Sequence, residues 1–230
     1  VAPEVVEAMV PVLQESFGNP SSSHAIGRKS RVLIEQSRRR VAKHLNCHPS
    51  SIYFTSGGTE ADNLALRSAV RDLGCTRIIT SEAEHSAVIK TAQSLERSEG
   101  TALDLVRHLP NGKVDLEHLA ALLAKGGKTM VSLMHANNEV AVIQDLERIG
   151  SMCREASALF HSDTVQTMCH YAFDLDALPV DFITCSAHKF HGPKGVGFCT
   201  SEKGCSSKDK LKGEAKNALC AAAPKARTTL

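Results

Sequence analysis

The sequence lacks a strong charge bias. Its formal net charge is +2, with 27 basic against 25 acidic residues. Nothing global therefore points to nucleic acid or to a membrane surface. No apolar run approaches the length that spans a bilayer, and no signal peptide is expected. No two of the eight cysteines have CxxC spacing, which argues against a zinc ribbon. Scattered cysteines in an ordinary core suggest a reducing, cytoplasmic compartment. What is present is ordinary: 230 residues, 42% of them hydrophobic, enough for a sizeable core in one large or two small domains.

Along the chain, strand-like runs alternate with helical periodicity. Apolar spacing predicts a helix over residues 3–15 and a long basic one over about 26–45. Strands are expected at 51–55, 76–80, 102–106, 129–134, 158–162 and 180–184. Helices are expected between them, at 63–73, 86–95, 116–124 and 145–156. This alternation implies a largely parallel sheet covered by helices. Right-handed crossovers would put the strand-end loops on one edge, where ligands of such sheets bind.

Several loops carry chemistry. Ser186-Ala187-His188-Lys189 follows a strand, so Lys189 is expected just past a strand end. With apolar neighbours such a lysine can lose its proton and act as an amine nucleophile; a solvated loop lysine is the plainer alternative. Strand, Gly57-Gly58-Thr59 and helix start form a geometry that offers free N–H groups to an anion, or simply a tight turn. Asp163 ends an apolar strand and needs a partner there, unless it caps a helix. His85, Asn138 and Gln166 also fall near strand ends. An anion turn, an imidazole, a lone carboxylate and a lysine together suit a phosphorylated aromatic cofactor held as a Schiff base. Eleven histidines raise metal binding, but two nearby ones, His188 and His191, straddle Lys189, and no metal is expected.

Six ordered stretches resemble the cysteine desulfurases, pyridoxal-phosphate enzymes of the class V aminotransferase superfamily. They are Gly18-Asn19-Pro20-Ser21-Ser22, Phe54-Thr55-Ser56-Gly57-Gly58-Thr59-Glu60, Glu84-His85, Met134 to Glu139, His161 to Gln166, and Ser186 to Gly195. The resemblance implies a three-layer α/β sandwich around a mainly parallel, mixed seven-stranded sheet. It implies that Lys189 is the Schiff-base lysine and base, and that Asp163 partners the pyridine nitrogen. Gln166 and Asn138 would bond the phenolic oxygen, and His85 would stack on the ring. Gly58, Thr59, Ser186, Ala187 and His188 would form the phosphate cradle. The implied reaction takes sulfur from L-cysteine, leaving alanine and an enzyme-bound persulfide that serves a scaffold or acceptor protein for iron–sulfur clusters or tRNA thiolation. A selenocysteine lyase, another class V lyase and a non-catalytic remnant share the same frame. Family members are homodimers; for this chain dimerisation is an open expectation.

The chain also departs from that pattern. The family's opening strand and its C-terminal small domain, with the nucleophilic cysteine and the substrate-carboxylate arginine, are expected to be missing. Residues 1–198 read as the cofactor-binding large domain. Residues 199–230 have no aromatic, valine or isoleucine, and seven Lys or Arg against three acids. Such a tail is expected to be disordered or weakly helical. Codon degeneracy suggests a single-base frameshift near Phe198. Read one base earlier, residues 199–204 can encode Leu-Tyr-Ile-Arg-Lys-Gly, a strand. Residues 213–225 can encode Gly-Gly-Gly-Gln-Glu-Arg-x-Met-Arg-Gly-Gly-Thr-Glu, which resembles the family's next glycine-rich motif.

Overall fold

The computed structural model describes residues 1–201; the expected low-complexity tail from 202 onward lies outside the described residues. Seven strands form one sheet in the order β1-β9-β8-β7-β4-β2-β3. They are β1 (Ile52–Thr55), β2 (Arg77–Thr80), β3 (Ala102–Leu105), β4 (Thr129–Ser132), β7 (Leu159–Asp163), β8 (Phe182–Ser186) and β9 (Gly197–Thr200). Neighbours from β3 to β8 pair in parallel, and β9 runs antiparallel to both β8 and β1. This is the mixed, mainly parallel sheet expected. A two-stranded ribbon, β5 (Ala136–Asn137) with β6 (Val142–Ile143), stands apart from it.

Strand parity divides the core. Ile78, Met130 and Phe182 point to one face, where they meet Ala61, Ala65 and Leu66 of α3 (Gly58–Arg71) and Val88 and Leu95 of α4 (Ser86–Glu99). Ile79, Val131, Phe160 and Ile183 point to the other, against Leu119 of α5 (Leu116–Leu123) and Ile149 of α6 (Leu146–Glu155). Successive residues of a strand face opposite sides, so each buried strand is apolar on both. Three layers follow. Asp115 and Asp145 start α5 and α6, each accepting an N–H three residues on. α1 (Pro3–Glu15) buries none of its residues, and α2 (Ala25–His44) buries three.

Several boundaries differ from the sequence expectation: α4 runs on to Glu99, β4 stops at Ser132, and α3 and β8 start elsewhere. α3 begins at Gly58, five residues before the expected start at Asn63. Gly57, at φ 156°, turns the chain in a conformation suited to glycine, and the helix begins at once. β8 is displaced two residues downstream, to 182–186: Val180 N–H donates back to Leu178 O at 2.8 Å, so Val180 still belongs to the turn before the strand. β9 runs through Thr200, two residues beyond the point where the composition changes.

Candidate active site

Parallel strands deliver their carboxyl ends to one edge of the sheet, and the candidate residues gather there. β1 ends at Thr55 and the Gly57 turn leads into α3. The first N–H groups of a helix have no partner within it, so the backbone at Gly58 and Thr59 faces outward with bonding capacity to spare. Ser56 N–H is already taken by Glu60 Oε2 at 2.7 Å. β9 lies hard against the turn: a Cβ on Gly197 would stand 2.5 Å from the Cys185 oxygen and 2.8 Å from Gly57 Cα. A Cβ on Gly57 would find only Ser186 Oγ, at 3.6 Å. Ser186 Oγ in turn pairs with His188 Nδ1 at 2.9 Å. Turn, serine and histidine thus form one polar cradle at the start of α3.

β8 ends at Ser186 and passes into a 3-10 turn, Ala187–Phe190, closed by His191 in the left-handed region. Ala187 is buried, while His188 and Lys189 are exposed. Asp163, the last residue of β7, is buried. Its Oδ1 accepts from Val165 N–H at 2.8 Å. Burial pushes its carboxyl up to about 8, helped by the charge of Asp62 and opposed by the Val165 N–H and by Lys189. Gln166 Nε2 donates to Asn138 Oδ1 at 3.0 Å, joining the loops after β7 and β4. His85 caps α4 by accepting from Ala87 N–H at 3.1 Å. A ring nitrogen of His85 lies within 4.8 Å of carboxylate oxygens of Asp163 and Asp62.

Three contributors were not assigned a role from sequence. Glu84 is buried, and its Oε1 accepts from Met134 N–H at 2.7 Å. Asn137 Nδ2 donates to Ala83 O at 2.7 Å. Together they lash the loop carrying His85 to the loop carrying Asn138. Burial holds the Glu84 carboxyl well above its usual range. The third is Asp62, whose signal in the sequence is a carboxylate on the same helical stripe as Ala65, Leu66 and Ala69.

The donor set fits a phosphorylated pyridine aldehyde. It offers a primary amine, a buried acid for a ring nitrogen, an imidazole beside that acid, an amide pair, and a glycine-hinged helix start for an anion. A metal fits less well: only the Asp62–His85–Asp163 group comes together among the described residues, and Asp62 is already bonded to Thr184.

Comparison with known proteins agrees. The chain is 43% identical over 201 residues to the cysteine desulfurase IscS of Methylobacillus flagellatus, covering 86% of this chain and 49% of that protein. It is 42% identical over 205 residues to the cysteine desulfurase IscS of Dictyoglomus turgidum, covering 87% and 51%. The chain thus spans about half the length of the curated relatives it matches. Among solved structures, a NifS-like protein superposes with a TM-score of 0.83 at 38% identity, over 89% of this chain and 57% of that one. SspA in complex with cysteine superposes with a TM-score of 0.80 at 34% identity, over 87% and 58%. The sequence model of the class-V aminotransferases matches residues 1–216, and the chain belongs to that family.

Proposed function

We propose that the whole protein is a cysteine desulfurase that uses pyridoxal 5'-phosphate, and that this chain supplies the cofactor half of its site. The observation that carries the reading is the convergence at one sheet edge of side chains from separate loops: Lys189, Asp163, His85, and the Gln166–Asn138 pair, beside the start of α3. Pyridoxal phosphate supplies an electron sink for a carbanion next to the amine of an amino acid. Lys189 Nζ would be the amine that holds its aldehyde and the base for the cysteine Cα proton. Asp163 would hold a proton at the ring nitrogen. Gln166 and Asn138 would hydrogen-bond the phenolic oxygen, and His85 would lie against the ring. Gly58 and Thr59, with Ser186 and His188, would hold the phosphate.

Sulfur transfer needs a thiolate, and the described cysteines are poorly suited. Burial pushes Cys75 up to about 11 and Cys153 up to about 12, and Cys185 and Cys199 further still. Cys47 and Cys169 are also raised by burial. We place the nucleophilic cysteine in the part of the whole protein that this chain does not span, so this chain alone is expected to release little sulfide from L-cysteine. A cytoplasmic setting, a sulfur-acceptor protein and a homodimer belong to the same proposal. Among the described residues no helix is long and apolar enough to cross a membrane.

The test is chemical. The protein is mixed with pyridoxal phosphate, scanned for a visible absorbance band, reduced with borohydride and mapped by mass spectrometry. The pyridoxyl mass is expected on Lys189. A label on another lysine, or none on folded protein, overturns the assignment.

A further inference from the structure

On the sheet face that α3 and α4 cover, the strands change character along their length. Ile78, Met130, Leu159 and Phe182 are apolar. Further along the same face stand Thr80, Ser132, His161, Asp163 and Thr184, all buried. Pairing makes them neighbours: Ser132 stands opposite His161, and Asp163 opposite Thr184. α3 lays one acid on this polar seam, Asp62, which is 1% exposed. Asp62 Oδ1 accepts from Thr184 Oγ1 at 2.5 Å and lies 3.5 Å from His161 Nε2. His161 Nδ1 is 2.8 Å from Ser132 Oγ. Asp62 and Asp163 have carboxylate oxygens within 4.8 Å of each other.

Packing alone does not call for this arrangement. A buried acid is costly, and an apolar residue at position 62 would continue the stripe of Ala65, Leu66 and Ala69. Nor does the proposed chemistry use Asp62 directly. We propose that Asp62 is a positioning residue: anchored by Thr184 and set beside His161, it lies next to Asp163 and keeps a proton in the pair that Asp163 makes with a cofactor ring nitrogen. The inference rests on the reading of Asp163 as that partner.

The physical basis is like-charge repulsion between two acids in a dry site, where losing the shared proton would leave two bare carboxylates side by side. The other groups facing Asp163 are few. Lys189, from the turn after β8, acts in the opposite sense. Glu84, from the loop before α4, is buried and itself raised by Asp163 and Asp62. His85 caps that helix, and His161 lies two residues back on β7, against Asp62. Asp62 is thus the acid beside Asp163 that Thr184 fixes in place.

Asp62→Asn keeps shape and can still accept from Thr184, but removes the charge. Two readouts follow. In the cofactor-free protein, melting temperature against pH reports the proton on Asp163. Between about pH 4 and 8 the wild type is expected to lose stability as pH rises, and Asp62→Asn to lose clearly less. In the second, pyridoxal phosphate affinity is measured from pH 6.5 to 9. The wild type is expected to vary little, while the variant weakens about tenfold toward the alkaline end. The analogue with carbon in place of the ring nitrogen is expected to show no such pH-dependent difference. Thr184→Val, which removes the anchoring hydroxyl, shifts both readouts the same way by about threefold in affinity, and carries the test if Asp62→Asn does not fold. Parallel pH profiles for variant and wild type overturn the inference and leave Asp62 a packing residue. Failure of the wild type to bind pyridoxal phosphate overturns the functional reading instead, while the cofactor-free melting profiles still judge the coupling of Asp62 to Asp163.

Discussion

At the scale of single residues, Asp163 carries the sharpest consequence. Its carboxyl is raised from an ordinary 3.8 to about 8, chiefly by burial. An acid raised in the folded state binds a proton that the unfolded chain gives up. Its contribution to stability is complete below about pH 4 and is lost as pH rises toward about 8. Asp163→Asn should flatten this slope in the cofactor-free protein, followed by thermal unfolding from pH 5 to pH 8. We expect the wild type to lose on the order of 5–10 °C over that range, a few kcal/mol, and the variant clearly less. Glu84 is shifted in the same direction, so part of the slope should survive. A wild-type melting temperature that rises over the range would contradict the environment drawn here for Asp163. Asp163 was legible in the sequence because an acid ending an apolar strand is conspicuous. Asp62 was not, because nothing in the sequence shows that its helix crosses a polar seam.

At the scale of elements, the cradle depends on how closely β9 lies to the turn after β1. Register puts Gly197 opposite Thr55, and this close approach leaves no space for a side chain at Gly197. Gly197→Ala would drive a methyl group into backbone at Cys185 and Gly57, which cannot rotate away. We expect a loss of about 1–3 kcal/mol, read by denaturant unfolding. Weaker binding of pyridoxal phosphate should accompany it, because the turn that presents Gly58 and Thr59 must shift. Unchanged stability with unchanged binding would show that the turn tolerates displacement. The strands and helices themselves were readable from periodicity, since both faces of each central strand meet apolar layers. The glycine turn was readable as a turn between strand and helix but not as the first residue of α3, because a helix that starts on glycine has no capping side chain to announce it. Lys189 was placed past a strand end by the β-branched run before it. The seam of Ser132, His161 and Thr184 was hidden, because strand parity alone does not say which helix covers which face.

At the scale of the whole molecule, the polypeptide changes character near Phe198, and the last described residues show it in their packing. Cys199 is buried in the apolar cluster with Leu66 and Phe182. Ser201 is buried, and its Oγ has no hydrogen-bond partner among the described residues. Beside it lies a hollow of about 120 Å³ lined by Thr200, Ser201, Ser51 and Val180. An unpartnered buried hydroxyl and unfilled space at the end of a strand suit larger apolar side chains better than those present. Read one base earlier, positions 199, 200 and 201 can encode Leu, Tyr and Ile, which supply that bulk. We therefore propose that the reading frame changes near Phe198. Two measurements bear on it. Resequencing the gene across codons 196–204 should show one base too many or too few against the family-like frame. Independently, Ser201→Ile in the protein as given should raise the melting temperature by several degrees, since it removes a stranded hydroxyl and fills space. A confirmed base count together with a destabilised Ser201→Ile protein would mean that this end of β9 is built for its small polar residues, and the frameshift would have to be abandoned.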